Sequence, residues 1–365
     1  MRALFLVSDT DWSARARAFV LAARGLAARG HEVQIACDAA CPVQMRAAEA
    51  EVPVIALSRD MSTAGSAWNL RGALKERGAD VVFVHTDAEH LMAGSALRLG
   101  GGVGAVIRRI PPFAIAGAGA GSRLAPRLAP SGLLFTTEAD RQAATARAYR
   151  VPSALATLGV DLERHDSVPA LSKESLGVPA DSRLIVCVQD GGDTRFVLTA
   201  LRSLSLLAPR HADLHLAIVG SDRQDELRMH GAALGISSML TFLGARQDEL
   251  SVLRAADIGW IAAEGDGAAL AALDFMALGK AVVADRSPLT AHYLADGIAG
   301  VLLSPADPPT TAGTVAAFVA DEERRAAMGT AARARVQREF AFDAMIAGFE
   351  RAASAAMERH PQPVG

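Results

Sequence analysis

Two aspartates, Asp266 and Asp274, stand eight positions apart on a stretch that opens Gly265-Asp266-Gly267 and continues as an apolar, helix-like run over residues 268–278. A helix start lined by glycine offers free backbone N–H groups and a partial positive charge, which suits a phosphate or diphosphate. Eight residues make about two turns, roughly 12 Å, and put the two carboxylates on neighbouring faces. Carboxylates so placed can meet two different parts of one ligand, one near the helix start and one further along. A plain N-cap is the competing reading of Asp266. Asp274 sits among Ala271, Leu273, Met276 and Ala277, where an acid is costly without partners. His85 and His90 flank the end of a strand-like run in VFVHTDAEH. Each is read either as a group acting on a bound ligand or as a hydrogen-bonded or solvent-facing histidine.

The elements that must position these residues alternate along nearly the whole chain. Short apolar runs at residues 3–7, 33–36, 54–57, 81–84, 105–107 and 132–135 are separated by stretches with helical spacing. Such alternation reads as βαβ units around a parallel sheet. A polar stretch with two prolines at 166–181 marks a boundary. A second alternation follows, with strands expected at 184–188, 215–219, 240–243, 258–261 and 281–284. The expected architecture is α/β, two doubly wound Rossmann-like lobes with a ligand cleft between them. The expected limits are 1–165 and 166–340, with a C-terminal helix at 341–365 returning to the first lobe.

The segment 100–131 is different in kind. It is rich in Gly, Ala and Pro and carries Arg108, Arg109, Arg123 and Arg127 with no acidic residue. It reads as a loop over the cleft, its arginines facing an anionic acceptor, a membrane surface or solvent. Its Gly117-Ala-Gly119-Ala-Gly121 run neither follows a strand nor opens a helix, as a dinucleotide fingerprint would.

Composition narrows the classes. With 365 residues and 51% hydrophobic content the chain has enough apolar material for two cores, and disorder is excluded. No run approaches the ~18 apolar residues of a membrane span. The opening MRALFLVSDTDW reads as a first strand rather than a secretory signal. Three cysteines, Cys37, Cys41 and Cys187, form neither a disulfide framework nor a metal set, which points to a reducing cytoplasm. A net charge of −3 does not mark a nucleic-acid binder.

Several blocks of the second half resemble the retaining glycosyltransferases of family 4, which have the GT-B fold. Leu158-Gly159-Val160-Asp161 is similar to the family's NGVD segment, and Thr241-Phe242-Leu243-Gly244 to its v-x-F-l-G block. Leu253-Arg254-Ala255-Ala256-Asp257 resembles l-x-x-a-D. The run from Leu273-Asp274-Phe275-Met276-Ala277 to Val283-Ala284 resembles l-E-A-M-A-x-G-k-P-V-V-a. Asp296-Gly297-Ile298-Ala299-Gly300 resembles d-G-x-x-G. The first half matches chiefly at Gly30-His31-Glu32-Val33.

The resemblance implies a retaining glycosyltransferase that takes sugar from a nucleotide-diphosphate sugar as co-substrate, with no cofactor and no metal. The acceptor would be a glycan, lipid or small molecule, in the cytoplasm or at the membrane periphery. The donor side would be formed by Arg195, Asp190, Gly244 and the helix start Gly267-Ala268-Ala269. Asp274 would hold the ribose, and Asp266 the donor sugar as a catalytic group. His85 and Arg109 complete the expected catalytic set, Arg108 or Arg109 standing where the family has a histidine. The family's Glu-x7-Glu pair is Asp266-x7-Asp274 here. Arg195 keeps the charge of the family's diphosphate lysine, while Asp190 inverts the charge of its arginine. The glycine-rich loop after the first strand is replaced by Ser8-Asp9-Thr10-Asp11-Trp12. These departures leave a second expectation open, a non-catalytic GT-B protein that binds a nucleotide or a partner glycosyltransferase. A nucleotide-sugar epimerase of the same fold is a third, without a motif of its own.

Overall fold

The structure is a computed structural model. It describes residues 1–57, 63–100, 104–113, 129, 131–146, 151–190, 194–220, 223–304 and 307–358. Arg123, Arg127, the glycine run 117–121 and residues 191–193 lie outside the described residues.

The chain forms two compact units, Met1–Leu158 with Phe342–Gly365, and Gly159–Ala341. In the first unit, β1 (Arg2–Val7), β2 (Glu32–Asp38), β3 (Val54–Leu57), β4 (Val81–Val84), β5 (Ala105–Ile110), β6 (Ser131–Phe135) and β7 (Ser153–Leu155) form one sheet. The order is β3-β2-β1-β4-β5-β6-β7, with every pair parallel. Apolar strands of this kind need cover on both faces. It comes from α1 (Ala14–Ala28), α2 (Pro42–Glu49), α3 (Thr63–Arg77), α4 (Asp87–Gly100) and α5 (Glu138–Ala146). Ser13 caps α1 by accepting from Ala16 N–H, and Gly30 ends the turn after it at φ +83°, a conformation open to glycine at little cost.

The second unit starts with the short α6 (Leu162–Ser167) and then β8 (Arg183–Val188), α7 (Arg195–Leu207), β9 (Leu214–Val219), α8 (Gln224–Ala233), β10 (Leu240–Gly244) and α9 (Glu249–Ala255). It continues with β11 (Ile258–Ile261), α10 (Gly265–Ala277), β12 (Val282–Asp285), α11 (Pro288–Leu294), β13 (Val301–Leu303), α12 (Pro308–Ala320) and α13 (Glu322–Glu339). Its parallel sheet runs β10-β9-β8-β11-β12-β13. One core joins Ile185, Leu201, Leu216, Trp260, Val283 and Phe318 between this sheet and the helices α7 and α12. Ser287 and Thr290 form a reciprocal capping box at the start of α11, with Pro288 at its first position. The expected strands are present; β7 and β13 are additional.

The boundary at 165 moves to Leu158, for two physical reasons. Val160 bridges to Ala341 within the second unit, and His165 bonds to Asp274 there. The last helix, α14 (Phe342–Glu358), belongs to the first unit, where it packs on α1 and on β5, β6 and β7. Arg29 ties it with ion pairs to Asp343 and Glu350 at 3.0 and 2.7 Å. Glycine makes this seat possible. A Cβ on Gly348 would stand 2.5 Å from both Leu155 O and Ala156 Cβ. Gly348→Ala is therefore expected to cost about 1–3 kcal/mol through forced overpacking. Urea unfolding would show a lower midpoint at unchanged slope.

Candidate functional site

In an open parallel sheet the strand order reverses at one point, and ligands bind beyond the carboxyl ends there. In the second unit that point lies between β8 and β11. Val188 and Ile261 are register partners at the strand ends, and Ala262 N–H donates to Val188 O at 2.8 Å. Gln189-Asp190 leaves one strand and Ala262-Ala263-Glu264 leaves the other, straight into α10. Gly265 makes the entry turn at φ +54°. Glu264 is the N-cap but contributes no side-chain capping bond.

Asp190 lies directly against this helix start. A Cβ on Gly267 would come within 2.6 Å of Asp190 Cβ and 2.9 Å of its carboxyl carbon. Only glycine permits that approach, and a carboxylate there gains from the positive end of the helix. Asp266 is also inside, only 4% exposed in the first turn. Arg195 is the first residue of α7, exposed and set over the Phe196 ring at 6.0 Å. Gly244 ends β10 at φ +64°, where its carbonyl accepts from Gly220 N–H at 2.8 Å. The switch point therefore brings together Asp190 and Gly267, next to Asp266 in the same turn of helix.

Several expected roles do not fit their positions. Ala268 and Ala269 have side chains buried to 1% and 0% exposure, so that turn offers backbone amides alone. Asp274 is fully buried, its Oδ1 2.8 Å from His165 Nε2. The same histidine uses Nδ1 on Asp161 O at 2.7 Å, and its own carbonyl accepts from Arg254. A carboxylate closed in this way is an internal bond of the unit, and the ribose contact expected of it is withdrawn. The partner that an acid on an apolar helix requires is His165, a residue the sequence reading passed over.

The first unit has its switch point between β1 and β4, and another carboxylate fills it. Glu89 is 2% exposed. It accepts from Ser8 N–H at 2.8 Å and Ser8 Oγ at 2.7 Å through Oε1, and from His85 N–H at 2.7 Å and Thr86 N–H at 2.9 Å through Oε2. Thr86 Oγ1 accepts in return from Glu89 N–H. This is a capping box whose T-x-x-E signature is legible in Thr86-Asp87-Ala88-Glu89.

His85 is correspondingly structural. Its ring stacks on Phe19 at 3.5 Å between centroids, and Nε2 bonds Arg15 O at 2.9 Å. Burial, helped by the Arg109 charge, holds it well below the usual histidine range. Arg109 has no exposed surface, while Arg108 pairs with Asp87 and donates to His85 O. The expected catalytic roles of His85 and Arg109 are thus replaced by packing inside the unit. His90 bonds Ser131 Oγ at 3.0 Å, and burial pulls it down to about 4. No group of residues that could hold a metal ion occurs among the described residues.

A further acid lies at the end of β12. Asp285 is 8% exposed, with Oδ2 3.4 Å from Thr199 Oγ1 and Oδ1 without a hydrogen-bond partner. Burial raises it to about 6. His90 and Asp285 therefore respond to acid with opposite sign. His90 is depressed, so its contribution is present above pH ~6.5 and is lost as pH falls toward 4. Asp285 is elevated, so its penalty is present above pH 6 and is relieved as pH falls toward 4. Between pH 7 and 5 the His90 contribution should cost the first unit about 2 kcal/mol of hydrogen-exchange protection. Asp285→Asn should stabilise the protein by about 1–3 kcal/mol at pH 7, with the gain fading in acid. Asp274→Ala should cost about 3–5 kcal/mol in unfolding experiments by stranding His165, and Asp274→Asn much less.

The family model described as "Glycosyl transferase 4-like domain" matches residues 16–170, and the one described as "Glycosyl transferases group 1" matches residues 170–335. The D-inositol 3-phosphate glycosyltransferase of Corynebacterium jeikeium is 30% identical over 185 residues, 47% of this chain and 44% of that protein. The phosphatidyl-myo-inositol mannosyltransferase of Mycolicibacterium smegmatis is 30% identical over 49% of this chain and 46% of its own length. The chain thus spans about half the length of the curated relatives it matches. Among solved structures, that of Anabaena HepE in complex with UDP-glucose superposes with a TM-score of 0.80 at 16% identity, over 97% of this chain and all of that one. With both domains in order over residues 16–335 and the corresponding two-sheet fold, the chain belongs to the GT-B glycosyltransferases of the family-4 type.

Proposed function

We propose that this chain is a glycosyltransferase that moves a hexosyl or related group from a nucleoside-diphosphate sugar to an acceptor of glycan or glycolipid biosynthesis. The observation that carries the reading is the switch point of the second sheet, where a glycine-started helix opens beside the end of β8. Amides of the α10 start and the Arg195 guanidinium are the groups suited to a diphosphate. Retention of anomeric configuration is the stereochemistry that the family resemblance supports. The diphosphate would leave from the face the acceptor attacks, and the protein's work would be to position both and to stabilise charge on the leaving group. Asp266 is the carboxylate assigned to the donor sugar. No prosthetic group is invoked. The two relatives named above act, by their names, on inositol-containing acceptors, which favours a phosphorylated polyol or its lipid among acceptors. No helix among the described residues is long and apolar enough to cross a membrane, and any contact with a lipid acceptor would be peripheral.

The seat of Asp190 on Gly267 supports a second reading, a GT-B protein that binds a nucleotide or a partner without turnover. A carboxylate at the helix start competes with the anion that would sit there. Asp190→Asn should therefore tighten UDP or GDP at least ~tenfold, and Arg195→Ala should weaken it by a similar factor, the scale of one charge-assisted contact. Calorimetric titration with UDP, GDP, ADP, CMP and TDP checks this, together with donor hydrolysis over a broad panel of nucleotide sugars. Turnover abolished by Arg195→Ala supports the transferase. Nucleotide binding without turnover of any donor supports the second reading, and absence of nucleotide binding overturns both. Weaker binding by Asp190→Asn would make Asp190 a donor contact in its own right.

A further inference from the structure

At the amino ends of the strands in the first unit, opposite the ends where nucleotides bind in such folds, lies a cavity of about 340 Å³. That is within the size range of small-molecule pockets, roughly 300–1,000 Å³. It opens between β1, β2 and β3 on one side and the C-terminal half of α3 on the other. Its floor is apolar, formed by Leu4, Ile55 and Leu74. Ala73 of α3 is among its lining residues.

The charges at its mouth are unequal in what they can do. Arg2 is fixed: Asp80 accepts from its backbone N–H at 2.7 Å and from its guanidinium at 2.8 Å, and Glu32 adds to that negative field. Its guanidinium lies against Gly78, where a Cβ would stand 2.9 Å from the guanidinium carbon. Arg77, at the end of α3, has no ion-pair or hydrogen-bond partner among the described residues, and the same holds for the Gln34 amide. A guanidinium and an amide at the rim of an apolar trough match a molecule with one anionic head and one apolar tail.

We propose that this cavity binds a monomeric amphiphilic anion, a carboxylate or phosphate monoester on a medium-length alkyl chain. The head lies on Arg77 and Gln34, and the tail on Leu4, Ile55 and Leu74. The trough is concave and walled by α3, so the ligand enters singly and not as part of a bilayer. This site is separate from the donor site, and its test does not depend on transfer activity.

The experiment is calorimetric titration of the full chain with decanoate and with decyl phosphate below their micelle concentrations, with decanol as the neutral control. Saturable binding of one anion per chain is expected, with decanol at least ~tenfold weaker. Arg77→Ala, a change on an exposed side chain, should weaken both anions about tenfold. Ala73→Trp should fill the trough and abolish binding, and neither variant should alter UDP affinity. Circular dichroism establishes that each variant is folded, and Arg77→Ala alone decides the matter if Ala73→Trp is not. No saturable binding, decanol equal to the anions, or Arg77→Ala equal to the parent would each overturn the proposal. So would binding only to anionic phosphatidylglycerol vesicles and not to the monomeric probes, which would make the face a membrane contact instead.

Discussion

Backbone N–H groups at the carboxyl end of a parallel sheet need a negative partner, and this protein meets that need largely from its own side chains. At each switch point two strands diverge and a helix starts, so several amides face the same small space without an intrahelical acceptor. In the first unit Glu89 takes N–H groups of Ser8, His85 and Thr86 together with the Ser8 hydroxyl. In the second, Asp190 lies against the first turn of α10 at Gly267. The rest follows from these two seats. After β1 the Ser8 amide and hydroxyl are both taken up by Glu89. Gly267 is required because Asp190 leaves no room for a Cβ.

The two seats differ in how far they are closed. Glu89 accepts four hydrogen bonds, two on each oxygen, and is a finished structural element. Displacing it would leave a buried carboxylate and several amides unsatisfied, at a cost of several kcal/mol. Asp190 is only partly buried, on a loop end beside Arg195. Part of its surface stays in water, and Arg195 follows it closely in sequence. That difference supports the proposed reading, in which the donor lies on the second unit.

The fold was legible because its signal is carried by long-range repetition. Each strand is a short apolar run and each connection a helix with a start and stop signal, so the parallel order was available from pattern alone. The site was legible only where a residue type is dictated by backbone geometry. Gly265 and Gly267 mark the α10 start, and both prove to be positions where a side chain is strained or excluded. Roles resting on chemistry alone fared worse. His85 and Arg109 are reactive types near a strand end, but a strand end has an inside and an outside, and the stacking on Phe19 that settles the question comes from a helix some 66 positions earlier. Asp274 was correctly judged to need a partner, but that partner lies 109 residues away and could not be read from spacing. Glu89 was within reach, since its T-x-x-E box is local.

The pair His165–Asp274 also bears on how the architecture is kept while residues at the switch point vary. His165 stands on α6, at the entry to the second unit, and Asp274 stands near the end of α10, the helix that begins at the switch point. Their bond, with Asp161 and Arg254 around it, fixes α10 at its far end against the segment that leads into the unit. A helix held at one end has its other end placed by its own rigidity over 13 residues. Substitution at the open end, where Asp190, Asp266 and Gly267 meet, then changes what the site can bind while the position of the helix start is kept. Under the proposed reading, structure and ligand chemistry are carried by opposite ends of one helix, and a few residues at the switch point suffice to respecialise the framework.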